Sequence, residues 1–149
     1  NAYCQDNLLT WFDWQHADTD LIAFVAGLIA LRRRFPQLRG TNWLTGNVDA
    51  QGQRDICWWH REGREMRVDD WHGGLAGVLG LVLSPPDTAP EAPSLLVLIN
   101  REPQTIEFTL PPGQWQLHCE TSAAEPLTSS PRQSASIVSP RSIQILSQG

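Results

Sequence analysis

The sequence predicts a mainly β protein: an antiparallel β-sandwich preceded by an irregular loop and a single helix. Three observations carry that reading. One stretch, residues 19–35, has the period of an amphipathic helix, and no second such stretch follows it. Beyond residue 54 the chain breaks into short apolar or alternating segments separated by Gly, Pro, Ser and Asn clusters, as strands joined by turns require. Finally, 149 residues hold one ordinary domain or two small ones, and fall well short of the roughly 250 that a complete (β/α)8 barrel needs.

Residues 1–18 are polar and aromatic without a sustained period, so they read as a loop anchored by its rings. Asp18 or Thr19 then caps a helix, and Asp20 suits its positive first turn. Leu21, Phe24, Val25, Leu28, Leu31 and Phe35 follow the 3.6-residue period, while Ile22, Ala26 and Ile29 widen the stripe. A helix with so broad an apolar surface asks for partners on several sides. Arg32, Arg33 and Arg34 fall in its last turn, where they complement the carbonyl end, and Pro36 stops it. That local role accounts for the basic run better than a binding patch does.

Residues 39–53 are turn-rich. Asp55 to His60 reads as a strand, residues 64–74 as a polar excursion, and Val78 to Leu83 as a second strand. Four prolines between Ser84 and Pro93 make an exposed loop. The continuous apolar run Leu95 to Asn100 is a central strand; Thr105 to Leu110 and Gln114 to Cys119 alternate, giving each one packed face. Residues 121–136 are rich in Ser, Pro and Ala and are expected to be loop, with a last strand at Arg141 to Leu146.

Composition narrows the function. With 41% hydrophobic and 18% charged residues, the chain is globular rather than disordered. A net charge of −5 argues against nucleic acid as a partner, since phosphate binding rests on basic patches. The longest apolar stretch, Ile22 to Leu31, is too short for a membrane span. The polar opening Asn1 to Asp6 has no basic segment of a secretory leader, so a cytoplasmic protein is expected. Three cysteines, Cys4, Cys57 and Cys119, form no CxxC and read as reduced thiols.

Catalytic signatures are missing: there is no GxSxG, Walker loop, GxGxxG, HExxH or EF-hand pattern. The four histidines are scattered, Cys4 lacks a nearby His partner, and capping or solvation explains Asp18, Asp20, Asp69 and Asp70 better than acid–base work. Neither a metal nor a cofactor is expected. The seven tryptophans are the conspicuous feature. Trp58 and Trp59 are adjacent on a strand and must point to opposite faces, so one enters the core and the other meets a rim, an interface or a sugar ring. Trp11 and Trp14 stand among amides and carboxylates (Gln5, Asp6, Asn7, Asp13) of the kind that hydrogen-bond sugar hydroxyls.

Specific residues sharpen this. The string Asn1-Ala2-Tyr3-Cys4-Gln5-Asp6-Asn7, followed by Thr10-Trp11-Phe12-Asp13-Trp14, closely resembles a segment of bacterial glycogen debranching enzymes of the isoamylase type, in the α-amylase superfamily. There such a string follows the eighth barrel strand. Leu31-Arg32-Arg33-Arg34-Phe35-Pro36 resembles the end of that family's last barrel helix. Met66, Asp69, Asp70 and Trp71, then Leu98-Ile99-Asn100 and Leu110-Pro111-Pro112-Gly113-Gln114-Trp115, are similar to pieces of its C-terminal sandwich. The resemblance is clear over residues 1–36, patchy to 120 and hardly legible beyond.

It implies residues 1–37 as the last loop and helix of a (β/α)8 catalytic domain, and residues 38–149 as a C-terminal β-sandwich. The parent would hydrolyse α-1,6 branch linkages of glycogen or limit dextrins with retention, using an Asp nucleophile, a Glu acid/base and a second Asp. No Asp or Glu here matches those motifs; all three would lie upstream of Asn1, so the chain alone is expected to be inactive. Its partners would be α-glucan, through the parent, and the remainder of the barrel. Tyr3, Gln5, Asp6, Asn7 and Trp11 are the expected substrate-proximal or loop-bracing residues, and Trp58 and Trp59 the candidates for sugar stacking. The competing expectation is a free-standing carbohydrate-binding or interaction sandwich, with Trp58, Trp59 or Trp115 as its platform.

Overall fold

A computed structural model describes residues 3–48, 52–72 and 77–149. Asn1 and Ala2 of the N-terminal string, and Gly73 and Gly74 at the end of the expected polar excursion, lie outside the described residues. The helix, α1, runs Thr19–Arg34. Asp18 caps it by accepting the Leu21 N–H at 2.9 Å, and the three arginines close its last turn as the sequence requires. Pro36–Arg39 then forms a 3-10 turn, to which Arg32 Nε ties back through the Leu38 carbonyl at 3.2 Å.

Nine strands follow among the described residues: β1 Ile56–His60, β2 Arg64–Glu65, β3 Val78–Leu83, β4 Leu95–Asn100, β5 Ile106–Thr109, β6 Trp115–Glu120, β7 Leu127–Arg132, β8 Ala135–Val138 and β9 Ser142–Gln148. Seven of them make one antiparallel sheet in the order β2-β1-β3-β4-β9-β6-β7, and β5 with β8 makes a second, two-stranded sheet. The architecture is the antiparallel sandwich that the segment pattern predicts. The continuous apolar run of β4 does occupy the middle of the large sheet, where both faces need covering.

Alternation then sorts the side chains. On the inner face, Leu96 and Leu98 of β4, Trp115 and Leu117 of β6 and Leu146 of β9 pack against Ile106 and Phe108 of β5, the adjoining Leu110, and Val138 of β8. Two buried amides lock the layers. Gln144, on the inner face of β9, accepts from Ser136 Oγ at 2.7 Å and donates to the Ile137 carbonyl at 2.9 Å, so it reaches across to β8. Asn100 closes β4: its Nδ2 donates toward the Gln104, Val138 and Ser139 carbonyls at 2.9–3.1 Å, and its Oδ1 accepts the Glu102 N–H. The Leu110–Trp115 turn is equally structural. Trp115 is buried, its indole N–H bonds the Pro111 carbonyl at 2.9 Å, and Gly113 takes a φ of 129° that other residues rarely adopt.

One sequence expectation fails. Residues 121–136 are not all loop; they contain β7 and the start of β8. β7 is an edge strand whose Thr128, Ser129 and Pro131 are exposed, so it needs no apolar alternation, and a proline is tolerated there because an edge leaves backbone donors unpaired. The excursion at 64–74 also carries more structure than expected, with β2 and a 3-10 turn at Val68–His72.

On the outer face of the large sheet, Phe35 at the end of α1 is buried against Leu83 and Leu95, with Leu31, Leu38 and Ile56 around it. Farther back along the helix, Gly27 lies against Leu127 of β7, close enough that a Cβ would collide with its methyl group. The helix therefore spans from the sheet's edge toward its centre and is held chiefly by its C-terminal end. Phe35→Ala should cost about 3–5 kcal/mol, measured by urea unfolding; a loss under about 1 kcal/mol would contradict this anchoring role.

Candidate functional surface

The N-terminal loop is held by its own residues. Asn7 Oδ1 accepts the Leu9 N–H at 3.0 Å, its Nδ2 donates to Gln5 Oε1 at 3.1 Å, and Thr10 Oγ1 bonds the Asn7 carbonyl at 2.8 Å. The indole N–H of Trp11 donates to the Asp6 carboxylate. Asp13 caps the 3-10 turn Trp14–His16 and pairs with His16 Nδ1 at 2.7 Å. Of the expected substrate-proximal residues, Gln5, Asp6, Asn7 and Trp11 thus form one bonded cluster, while Tyr3 is exposed on a backbone with φ of 49°. The ring faces of Trp11, Phe12 and Trp14 remain largely exposed, Phe12 and Trp14 stacking at a tilt with centroids 4.6 Å apart.

Beside the loop, α1 buries only one line of its surface. Phe24, Leu28 and Leu31 are half-buried, but Leu21, Ile22, Val25 and Ile29 are about half exposed. The outer face of the large sheet continues the apolar surface through the half-buried Leu79, Leu81, Val97, Ile99 and Ile145.

Trp58 and Trp59 do part to opposite faces. Trp59 turns inward, half-buried, with its indole N–H bonded to the Thr109 carbonyl at 2.9 Å and its Cβ against Gly80. Trp58 turns outward, 40% exposed, and meets Trp71 edge-on with centroids 5.5 Å apart. Behind this pair lies a charged cluster that sequence reasoning missed. Arg64 grips Asp70 through two bonds of 2.6 and 2.9 Å, and Asp70 also accepts the Arg67 N–H at 2.7 Å. His60 stands between Glu62 and Asp70; its Nδ1 accepts the Glu62 N–H at 3.3 Å, leaving Nε2 4.0 Å from Asp70. The bonds from Arg64, then that from Arg67, hold the Asp70 carboxyl well below the usual carboxylate range. This fork fixes the turn that carries Trp71. No sequence signal pairs residues 64 and 70 across a turn, so only the adjacency of unlike charges hinted at it.

Elsewhere the polar groups are structural. Burial pushes Asp55 up, but hydrogen bonds from the Thr45, Gly46 and Ile56 amides and the Thr45 hydroxyl outweigh it and bring its pKa below the ordinary value. Burial, followed by the charge of Glu65, raises the Cys57 thiol to about 11, and burial raises Cys119 too, so neither is a nucleophile at neutral pH. Among the described residues no group of three or more His, Cys, Asp or Glu is placed to hold a metal ion, and no helix is long and apolar enough to cross a membrane.

The described residues thus make a two-layer antiparallel sandwich, a small sheet on a large one, with a helix against the outer face of the large sheet. The fold is similar to part of a pullulanase type I from Bacillus subtilis, solved with maltose, at a TM-score of 0.61 and 17% identity, covering 92% of this chain and 17% of that one. No family model matches the chain. By sequence it is 39% identical over 116 residues to the glycogen debranching enzyme of Cronobacter sakazakii, covering 78% of this chain and 16% of the relative. It is 38% identical over 128 residues to that of Dickeya chrysanthemi, covering 85% and 17%. The chain is thus homologous to the bacterial glycogen debranching enzymes, and it spans about a sixth of the length of the curated relatives it matches.

The Asp70 fork gives this surface a pH signature. Because the folded carboxyl titrates below its ordinary 3.8, its contribution is complete above that value and is lost as the pH falls through the folded pKa. Thermal melts from pH 6 to pH 2 should show a steeper acid loss for the native chain than for Asp70→Asn. Equal slopes would mean that the fork does not stabilise the Trp71 turn.

Proposed function

We propose that the chain is the C-terminal part of a cytoplasmic glycogen debranching enzyme that hydrolyses α-1,6 branch linkages of glycogen or limit dextrins. Residues 1–37 are the last loop and last helix of its barrel, and residues 38–149 the sandwich that braces them. The observation that carries this is the 34–39% identity, over about four fifths of the chain, to enzymes of that name. The surface supports it: a helix with one seated line and several exposed aliphatic residues suits a last barrel helix lacking the rest of its barrel, and the outer sheet face continues the same interface.

In this reading the catalytic carboxylates belong to the remainder of the enzyme, and the chain alone is inactive. Tyr3, Gln5, Asp6, Asn7 and Trp11 line the barrel mouth, with Asp6 fixing the Trp11 ring so that its face is offered to a glucose unit. Trp58, beside Trp71, packs at the interface. The alternative, a free-standing glucan-binding module, keeps Trp58 but loses much of its platform: Trp115 is buried in the core and Trp59 is half-buried and hydrogen-bonded inward.

Three measurements test these readings. The purified chain should release no reducing sugar from a branched dextrin. Exchanged for the matching segment of the Cronobacter enzyme, it should support debranching, and Ile22→Asp with Ile29→Asp should abolish that support. Sugar release by the isolated chain would refute the reading, and glycogen binding by the isolated chain that disappears in Trp58→Ala would favour the module.

A further inference from the structure

The end of α1 is seated on a histidine. His118, on the outer face of β6, is 7% exposed at the point where helix and sheet meet. Its Nε2 lies 2.8 Å from the Ser147 hydroxyl of β9, and the Phe35 ring covers it at a tilt, with centroids 5.3 Å apart. The Arg34 guanidinium sits over that same Phe35 ring, 5.1 Å from its centroid. The charged groups around the imidazole are therefore unhelpful to a proton. The helix presents Arg34, β9 presents the neutral Ser147, and on β6 itself Glu120 stands two residues along with its carboxylate accepting from Ser122 Oγ at 3.3 Å. An imidazolium formed here would be a nearly buried cation close to a second cation, under the ring that anchors the helix.

We propose that His118 is an acid-sensitive latch: neutral, it seats Phe35 and holds α1 on the sandwich, and protonated, it releases the helix end while the inner core stays folded. The core between the two sheets is built of Leu96, Leu98, Ile106, Phe108, Trp115 and their aliphatic neighbours, which carry no titratable group, so the helix end can open while that core stays packed. Burial first, and then the charge of Arg34, keep the pKa of His118 below its ordinary 6.5. The folded chain thus binds its proton less readily than the unfolded one. The latch is at full strength above pH 6.5, weakens as the pH falls below it, and levels off once the pH passes the folded pKa. What the latch does for the enzyme rests on the proposed role of α1 as the barrel–sandwich joint, which it would make pH-dependent; the latch itself is a property of this chain.

The test is amide exchange in the 149-residue chain, expressed as protection factors, at pH 7.5 and 5.5. Protection of residues 31–35 should fall by a factor of about three or more, and should stay well below that of residues 96–98 in β4 at both pH values, the mark of a local opening. His118→Gln, which retains a hydrogen-bonding group beside Ser147 and cannot be protonated, should abolish the fall. Unchanged protection in the native chain, or the same fall in His118→Gln, overturns the proposal. Should that variant not fold, NMR titration of the His118 ring in the native chain decides: a pKa at or above 6.5 overturns it, and one below supports it. None of these readings depends on debranching activity, so the latch and the proposed function can fail separately.

Discussion

The burial of Phe35 between Leu83 and Leu95 is the contact on which the rest of the molecule is organised. It stands at the end of a helix that otherwise rests lightly on the sandwich, and at the ends of the strands that form the centre of the large sheet. Without it α1 has Gly27 against Leu127 and a few half-buried side chains, and a 16-residue helix so thinly covered is marginal in water. With it the helix axis is fixed relative to β3, β4 and β6, and the loop before the helix acquires a defined position. The arginines that close the helix serve the same seat, Arg34 lying over the Phe35 ring and Arg32 holding the turn that follows.

The two faces of the large sheet therefore have different purposes. The inner face is complete: it is apolar, covered by β5 and β8, and crossed by buried amides whose donors and acceptors are met. The outer face is seated at one end by the helix and left half exposed at the other, where Trp58 and Trp71 stand on the Arg64–Asp70 fork. Rigidity behind an uncovered apolar surface is what a domain interface requires, since a preformed face loses little entropy when it is covered.

Much of this was legible in the sequence because it is local. The helix declared itself through its period, its Asp18 cap and its Pro36 stop, and the central strand through the unbroken run from Leu95. The strands of the inner layer were readable wherever one face is buried, as in the alternation of Ile106 and Phe108. What could not be read is non-local or lies at an edge. β7 has no apolar rhythm because most of its side chains stand exposed at the sheet's edge, and the bond from Trp59 to Thr109 joins residues 50 apart. The same holds for the site. The N-terminal string pointed to its family, but that Asp6 holds Trp11, that Asp70 is gripped by Arg64, and that His118 lies under Phe35 depend on the folded chain.

The exposed side of α1, with Leu21, Ile22, Val25 and Ile29 about half exposed, is proposed to be an interface with the rest of the barrel. Thiol labelling tests it directly. Ile29→Cys, in a background where Cys4 is replaced by Ser, is compared in the isolated chain and in the chain joined to the preceding part of the Cronobacter enzyme. Labelling should be rapid in the isolated chain and slowed by about tenfold or more in the joined protein. Equal rates would contradict the proposed interface.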